Sequence, residues 1–379
     1  MKKLVFSALV SSAAVCAHAQ SSVSLYGTVD DALTYVNNAG KGKLVGLGVG
    51  RRASYFGMYG TEDLGGGYQT YFKLDSGFTL NGGVQTQNGA LFGRQSILGV
   101  ISPYGTLSFG VQYDVVVDAL AEQTAAFNFA GSTGANSGDV DNAWSDSYPT
   151  SIVKYRSPRM RGFLFETIIS LSGSPMGFAH NKLVGGMVDY RNGPFSAAVV
   201  YRIANNPLTS LYNGKEGVPA DAQTLSLPWS TPIYRGYAGA ASQRVFGSAL
   251  GYTFGANKVS AIYTNTVFMD IPTAVNPDPA GFSARFQNIS LTYSYSFSPY
   301  LTLSAAGILT LGPHSKYQQG ILVGDYFLSK RTDLFLIGGF MHASGTDSTG
   351  KDAVAAITNL PPSSTSRQLA IRAGIRHNF

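Results

Sequence analysis

Ile289-Ser290-Leu291-Thr292-Tyr293-Ser294-Tyr295-Ser296-Phe297 decides the fold. Every odd-numbered residue is apolar or aromatic, and every even-numbered one is a small hydroxyl side chain. A period of two sends the two sets to opposite faces of a β-strand. Ser298-Pro299-Tyr300 follows, a tight turn in which proline fixes φ and ends pairing. Beyond it, Leu301, Leu303, Ala305 and Leu309 repeat the apolar face against Thr302, Ser304 and Thr310.

A soluble sandwich also alternates, and composition separates the two cases. Hydrophobic residues make up 44% of the chain but charged residues only 13%, about half the usual share for a soluble domain. Aromatics reach 12%, with 22 Tyr and 22 Phe against two Trp, and they crowd toward strand ends as an interfacial girdle requires. The faces opposite the apolar ones are expected to be polar over their whole length, as a water-filled lumen demands. After the N-terminal leader no apolar run is long enough for a transmembrane helix. Apolar surface hidden by alternation implies a closed antiparallel barrel in a membrane.

Turn chemistry counts the strands. Seven short turns are centred on Glu62–Gly66, Ser102–Gly105, Ser157–Arg159, Arg191–Pro194, Phe254–Asn257, Ser298–Tyr300 and Ser329–Arg331. Longer connections alternate with them, among them Asp114 to Thr150, Asn205 to Ser242, Asp270 to Ser283 and His342 to Ser366. Short turns on one side and long loops on the other are the mark of bacterial barrels with even strand numbers. The expectation is an all-β chain folded as a 16-stranded antiparallel transmembrane β-barrel.

The ends agree. Met1-Lys2-Lys3, an apolar run from Leu4 to Ala17 and Ala17-His18-Ala19 form the three parts of a secretory signal. Residues 1–19 are read as a signal peptide and 20–379 as the barrel, localised to the outer membrane. The single cysteine, Cys16, lies in the leader, so no disulfide framework or thiolate metal site is expected beyond it. The net charge of +6 becomes +4 without Lys2 and Lys3, too mild and scattered to argue for nucleic acid. At the far end Leu369, Ile371, Ala373, Ile375 and Phe379 share one face, and Gln368, Arg372, Arg376 and Asn378 the other. A last strand closing on the aromatic Phe379 resembles the signal read by outer-membrane assembly machinery.

Enzyme chemistry finds no foothold. No Gly-x-Ser-x-Gly occurs, and Gly281-Phe282-Ser283 lacks the closing glycine. His180, His314, His342 and His377 form no metal-ligating pair by spacing. Gly46-Leu47-Gly48-Val49-Gly50 lacks phosphate-loop spacing and is expected to be a flexible outer loop. No cofactor is expected.

An ordered set of short pieces resembles the general diffusion porins of Gram-negative bacteria, especially the trimeric type common in beta-proteobacteria. They are Ser22-Val23-Ser24-Leu25-Tyr26-Gly27, the Gly60–Gly67 turn, Phe92-Gly93-Arg94-Gln95, Tyr104-Gly105-Thr106-Leu107, Gly110–Asp114, Val153–Pro158, Leu328–Thr332 and Gly374–Phe379. The resemblance implies a third loop folded into the barrel, with its acids facing a ladder of wall cations. It also implies a homotrimer bedded in lipid and lipopolysaccharide that passes small hydrophilic solutes and ions. The candidate loop, Asp114 to Thr150, carries Asp114, Asp118, Glu122, Asp139, Asp141 and Asp146.

Arg94 and Arg156 match ladder positions, and Lys154 shares the parity of Arg156. Lys73 and Asp75 lie on one face of their strand, as do Arg372 and Arg376 on theirs. A charge facing lipid costs about 2–4 kcal/mol near the midplane, so all of these are expected in the lumen. The chain departs from the pattern where Tyr55, Tyr59 and Val111 replace expected cations. Arg51 and Arg52 stand upstream and are expected closer to the outer rim. The expected constriction is Arg94, Arg156, Lys154, Tyr55, Tyr59, Asp118 and Glu122, less cationic and more aromatic than usual. A solute-selective channel of the same fold, or an adhesin role for the long loops, are the alternatives.

Overall fold

The computed structural model describes residues 22–171, 177, 179–212, 230–272, 278–279 and 281–379. The leader expected over 1–19 lies outside the described residues. The strands are β1 (Ser22–Ala39), β2 (Gly42–Gly48), β3 (Ser54–Gly65), β4 (Tyr68–Phe78), β5 (Gln95–Ser102), β6 (Gly105–Val111), β7 (Ile152–Arg156), β8 (Phe163–Ser170) and β9 (Leu183–Asn192). They continue with β10 (Phe195–Asn205), β11 (Ser242–Phe254), β12 (Asn257–Ile271), β13 (Phe282–Ser298), β14 (Leu301–Leu311), β15 (Ser315–Phe327), β16 (Thr332–Gly345) and β17 (Arg367–Asn378). From β3 onward each pairs antiparallel with the next, and β17 returns to β1 over Thr28↔Asn378 to Val36↔Ala370. The sheet is closed.

These segments make sixteen wall strands. β1 pairs with β3 from Ser22↔Thr61 to Thr28↔Tyr55, then with β2 from Ala32↔Gly48 to Ala39↔Gly42. β2 and β3 are thus collinear halves of one wall strand, interrupted at residues 49–53. The Asp30 carboxylate fills the interruption. It accepts from the amides of Gly50 at 3.0 Å, Arg51 at 3.0 and 3.1 Å, and Arg52 at 2.9 Å. Three amides that lost their ladder partners are satisfied by one side chain. Ser54 locks the backbone of Asp30 from both sides, accepting from its amide at 3.0 Å and donating to its carbonyl at 3.1 Å. Gly50 is required by this close approach, since a Cβ there would lie 2.3 Å from both Asp30 Oδ1 and the Phe335 ring.

Two expectations are corrected here. Gly46 and Gly48 stand in β2, paired with Thr34 and Ala32, not in a flexible loop. Arg51 and Arg52 are not at the outer rim. The inward dent of the broken strand carries Arg51 into the barrel, where it is 4% exposed and meets Asp325 at 2.5 Å and Asp333 at 3.2 Å, on either side of the 328–331 turn.

The seven short turns fall where expected, one between each strand pair from β3–β4 to β15–β16. The opposite connections are less uniform, because β1–β2 and β14–β15 are also joined by only a few residues. Alternation holds on the walls. In β13, Ile289, Leu291 and Tyr293 are exposed to lipid while Asn288, Ser290 and Thr292 are buried inside. Tyr104, Tyr252, Phe254, Phe297, Tyr300 and Tyr326 are exposed near the short turns, forming a girdle at that end. Phe379 closes the ring, exchanging backbone hydrogen bonds with Gly27 at 3.0 and 3.1 Å.

The inward face is not polar throughout, contrary to expectation. From β8 to β12 it carries Leu164, Ile168, Met187, Ala198, Val200, Val245, Ala249 and Ile262, all buried. The cause is α1 (Val115–Leu120), the start of the 112–151 connection, which turns inside the barrel. Its Val115, Val116, Val117, Ala119 and Leu120 are buried against this wall, so both surfaces must be apolar. We predict that Asp30→Ala, which strips the broken strand of its charged acceptor, destabilises the barrel by about 2–3 kcal/mol. A lower temperature for loss of the folded band on heated gels, with Asp30→Asn intermediate, is the expected outcome.

Candidate pore constriction

The 112–151 connection crosses the lumen because its polar groups are bolted to the wall at several points. Asp114 caps α1, accepting from Val116 at 3.3 Å, and pairs with Arg202 at 3.3 Å with both side chains fully buried. Arg202 also donates to Gln243 at 2.6 Å, and Gln243 donates to the carbonyl of Val140 at 3.0 Å. Farther along, Asp141 accepts from Thr264 at 2.5 Å, Asn136 at 2.6 Å and Asn288 at 3.2 Å. Residues 129–143 are buried, which no exposed loop would be.

Asp139 and Asp146 form a second anchor. Asp139 accepts from the amides of Trp144 at 2.8 Å and Asp146 at 3.1 Å, and Asp146 accepts from Asn359 at 2.9 Å. Burial raises the Asp139 carboxyl well above its ordinary value, reinforced by repulsion from Asp146 and Asp141. Burial likewise raises Asp146 to about 7, against the opposing Asn359 hydrogen bond.

Most of the expected site residues fall into two groups. The first surrounds Lys154, which contacts Asp118 of the loop and lies 3.5 Å from Glu166, while Arg156 lies 3.3 Å from the same Glu166. The second is aromatic. The Arg94 guanidinium stands 4.5 Å from the Tyr55 ring and 5.8 Å from that of Tyr148. Tyr59 packs on Tyr71 at 6.1 Å, and the Tyr26 hydroxyl donates to Asp75, which lies 3.6 Å from Lys73. Glu122 belongs to neither. It pairs with Arg191 at 2.7 Å beside the Gly193–Pro194 turn, near Lys258, which donates to its carbonyl at 3.0 Å.

Arg372 and Arg376 both point inward, to different partners. Arg376 pairs with Asp333 at 2.8 Å. Arg372 donates to the Gly50 carbonyl at 3.0 Å and the Ser132 hydroxyl at 3.2 Å, without a carboxylate.

Sequence reasoning missed the wall acids. Glu166, Asp189, Asp325 and Asp333 neutralise Lys154, Arg156, Arg159, Arg191, Arg51 and Arg376. Their parity in β8, β9, β15 and β16 could have revealed them. Of the loop acids, Asp118, Glu122 and Asp114 pair with wall cations, Asp139 holds the loop's own shape, and Asp141 does both, binding Asn136 and the Ala143 amide within the loop and Thr264 and Asn288 on the wall. Arg52, Arg94 and Arg372 carry no ion pair among the described residues. They line one cavity of about 370 Å³ with Tyr113, Phe127, Trp144 and Tyr148.

Comparison with known proteins agrees with this architecture. The family described as Gram-negative porin matches residues 6–309. An outer membrane porin protein of Bordetella pertussis is 27% identical over the whole of both chains. The anion-selective porin from Comamonas acidovorans superposes with a TM-score of 0.73 at 23% identity, covering 95% of this chain and 100% of that one. The trimer form of Vibrio cholerae OmpT superposes with a TM-score of 0.61 at 16% identity, covering 95% and 99%.

Two outcomes test the anchoring. Arg202→Met leaves Asp114 buried without its counter-charge, a loss of about 3–5 kcal/mol. Faster cleavage of the 112–151 segment by added protease is expected, with the barrel still folded. For Asp139 and Asp146 the sign follows from their raised carboxyls. The stability Asp146 contributes is complete below the ordinary carboxylate value and is lost as pH rises to about 7, and that of Asp139 is lost in the same direction. Protease resistance of the loop should therefore fall progressively as pH rises from the ordinary carboxylate range to about 7, and Asp146→Asn should flatten that profile.

Proposed function

This chain belongs to the Gram-negative porin family, and on that premise we propose that its pore prefers anions and is assembled as a homotrimer. It is an outer-membrane channel through which small hydrophilic solutes and ions diffuse. The selectivity reading rests on one observation. The lumen acids Asp118, Glu166, Asp189, Asp325 and Asp333 each form an ion pair, while Arg52, Arg94 and Arg372 form none among the described residues and share their cavity with a single carboxylate, Asp146. Unbalanced guanidinia in a narrow, low-dielectric passage raise the local concentration of anions. The Comamonas neighbour is described as anion-selective, which supports the same reading.

In this proposal Arg94, Tyr55, Tyr59, Lys154, Arg156 and Asp118 narrow the passage beside the inserted loop. Lys73, Asp75, Arg372 and Arg376 line the water path, and Glu122 with Arg191 sits nearer the short-turn mouth. The Arg94 stack on Tyr55 places a cation-bearing aromatic where the sequence departs from its relatives' expected cations. The trimer form of the Vibrio protein supports the homotrimer. Export through a leader cleaved after Ala19, assembly guided by Phe379 and a bed of lipid and lipopolysaccharide complete the reading.

Reconstitution into a planar bilayer under a salt gradient tests it. We expect conductance steps in groups of three and a reversal potential of the sign set by anions. Tyr55→Arg, adding a cation beside Arg94, should increase that preference, and Arg94→Gln should reduce it. A cation-signed reversal potential in the unaltered protein would falsify the selectivity reading.

A further inference from the structure

The cavity shared by the dented strand β2, the inserted loop and the 346–366 connection has features beyond a charged water path. Its volume of about 370 Å³ falls in the range of roughly 300–1,000 Å³ typical of small-molecule sites. Its lining carries three arginines, Arg52, Arg94 and Arg372, against one acid, Asp146. Arg94 is 8% exposed and Arg372 only 3%, and the Nε atom of each is buried without a hydrogen-bond partner. A buried guanidinium short of acceptors favours a carboxylate, which two parallel N–H donors can grip.

The same cavity is walled by rings that are in turn stacked on its cations. Arg94 is held between Tyr55 and Tyr148. Arg52 lies 5.1 Å over the Phe127 ring, and Phe127 meets Trp144 edge-on at 5.1 Å. The rings fix the planes of the guanidinia, leaving their edges as donors, while the half-buried Trp144 and Phe127 offer apolar surface to the water. Cation and apolar ring therefore alternate around one small space.

We propose that this cavity is a recognition site for small aromatic monocarboxylates, with the carboxylate on Arg94 and Arg52 and the ring against Trp144 and Phe127. The inference rests on the pore reading above and names a solute class for it. An inorganic anion would use the cations alone and leave the aromatic wall unused. A sugar acid would set its hydroxyls against the Trp144 and Phe127 rings, and the nearby Asn359 amide and Ser132 hydroxyl are already engaged by Asp146 and Arg372.

The test uses the full channel in a planar bilayer with potassium chloride, adding potassium benzoate, cyclohexanecarboxylate, acetate or glucuronate. Current interruptions are counted against concentration. Benzoate should half-saturate at a concentration about tenfold below acetate and glucuronate, a difference of about 1.4 kcal/mol, and below cyclohexanecarboxylate as well. Trp144→Ala should erase the advantage of benzoate over acetate, and Arg94→Gln should weaken both. Equal potency of benzoate and acetate, or glucuronate matching benzoate, overturns the proposal while leaving the pore intact. Should Trp144→Ala not assemble, the solute series on the unaltered protein decides alone. Absence of chloride conductance refutes the pore reading itself.

Discussion

Lipid offers no hydrogen bonds, so every amide and carbonyl on the wall must find a partner within the wall. The return of β17 to β1, from Val36↔Ala370 to Thr28↔Asn378, meets that demand by leaving no free edge. The rest follows from closure. A closed sheet has an outside and an inside, and a strand period of two divides each strand between them. Charge is confined to the inside, and the long connection after β6 can shape the passage only by entering it.

The inserted loop shows how polar groups behave once inside. Asp114 with Arg202, and Asp141 with Thr264 and Asn288, are buried pairs and networks whose contribution is to position rather than to attract solute. They press α1 onto an apolar patch of wall, so part of this barrel's interior resembles a soluble core. The remaining lumen lies against β2, β3 and β17, where Arg52, Arg94 and Arg372 gather. A second apolar patch, Ala306, Ile308, Ile321, Val323, Phe335 and Ile337, holds Ala125, Phe129 and Ala130 of the same loop, so the loop is braced on both flanks of the arginine cluster.

Much of this was legible from residue order. Alternation at Ile289–Phe297 and the Ser298-Pro299-Tyr300 turn gave strands, faces and count, because strand geometry is local. Parity placed Lys154, Arg372 and Arg376 inside for the same reason. Partners were not legible, since pairing is decided across strands. Glu166 meets Arg156 through register, and Asp333 meets Arg376 likewise. The apolar inward patch was hidden because Ala198, Val200, Val245 and Ala249 suit either face. Only the apolar run Val115–Val117 hinted that something dry would pack there. The inward turn of Arg51 was beyond pattern reading, because it depends on Asp30, which lies far back in the chain.

That interrupted strand separates two properties that a regular barrel ties together. On an intact strand, adding or removing one residue reverses the side faced by everything beyond it. Here the segment 49–53 lies outside the β1 ladder, which resumes at Tyr55. With Gly50 fixed by close approach and Arg51 by its buried ion pairs, side-chain changes at Arg52 can alter what meets the permeating solute without slipping the wall. The Asp30 clip holds the backbone of this short stretch, so a lineage could retune permeability by side-chain change at Arg52 while the barrel's register stays fixed.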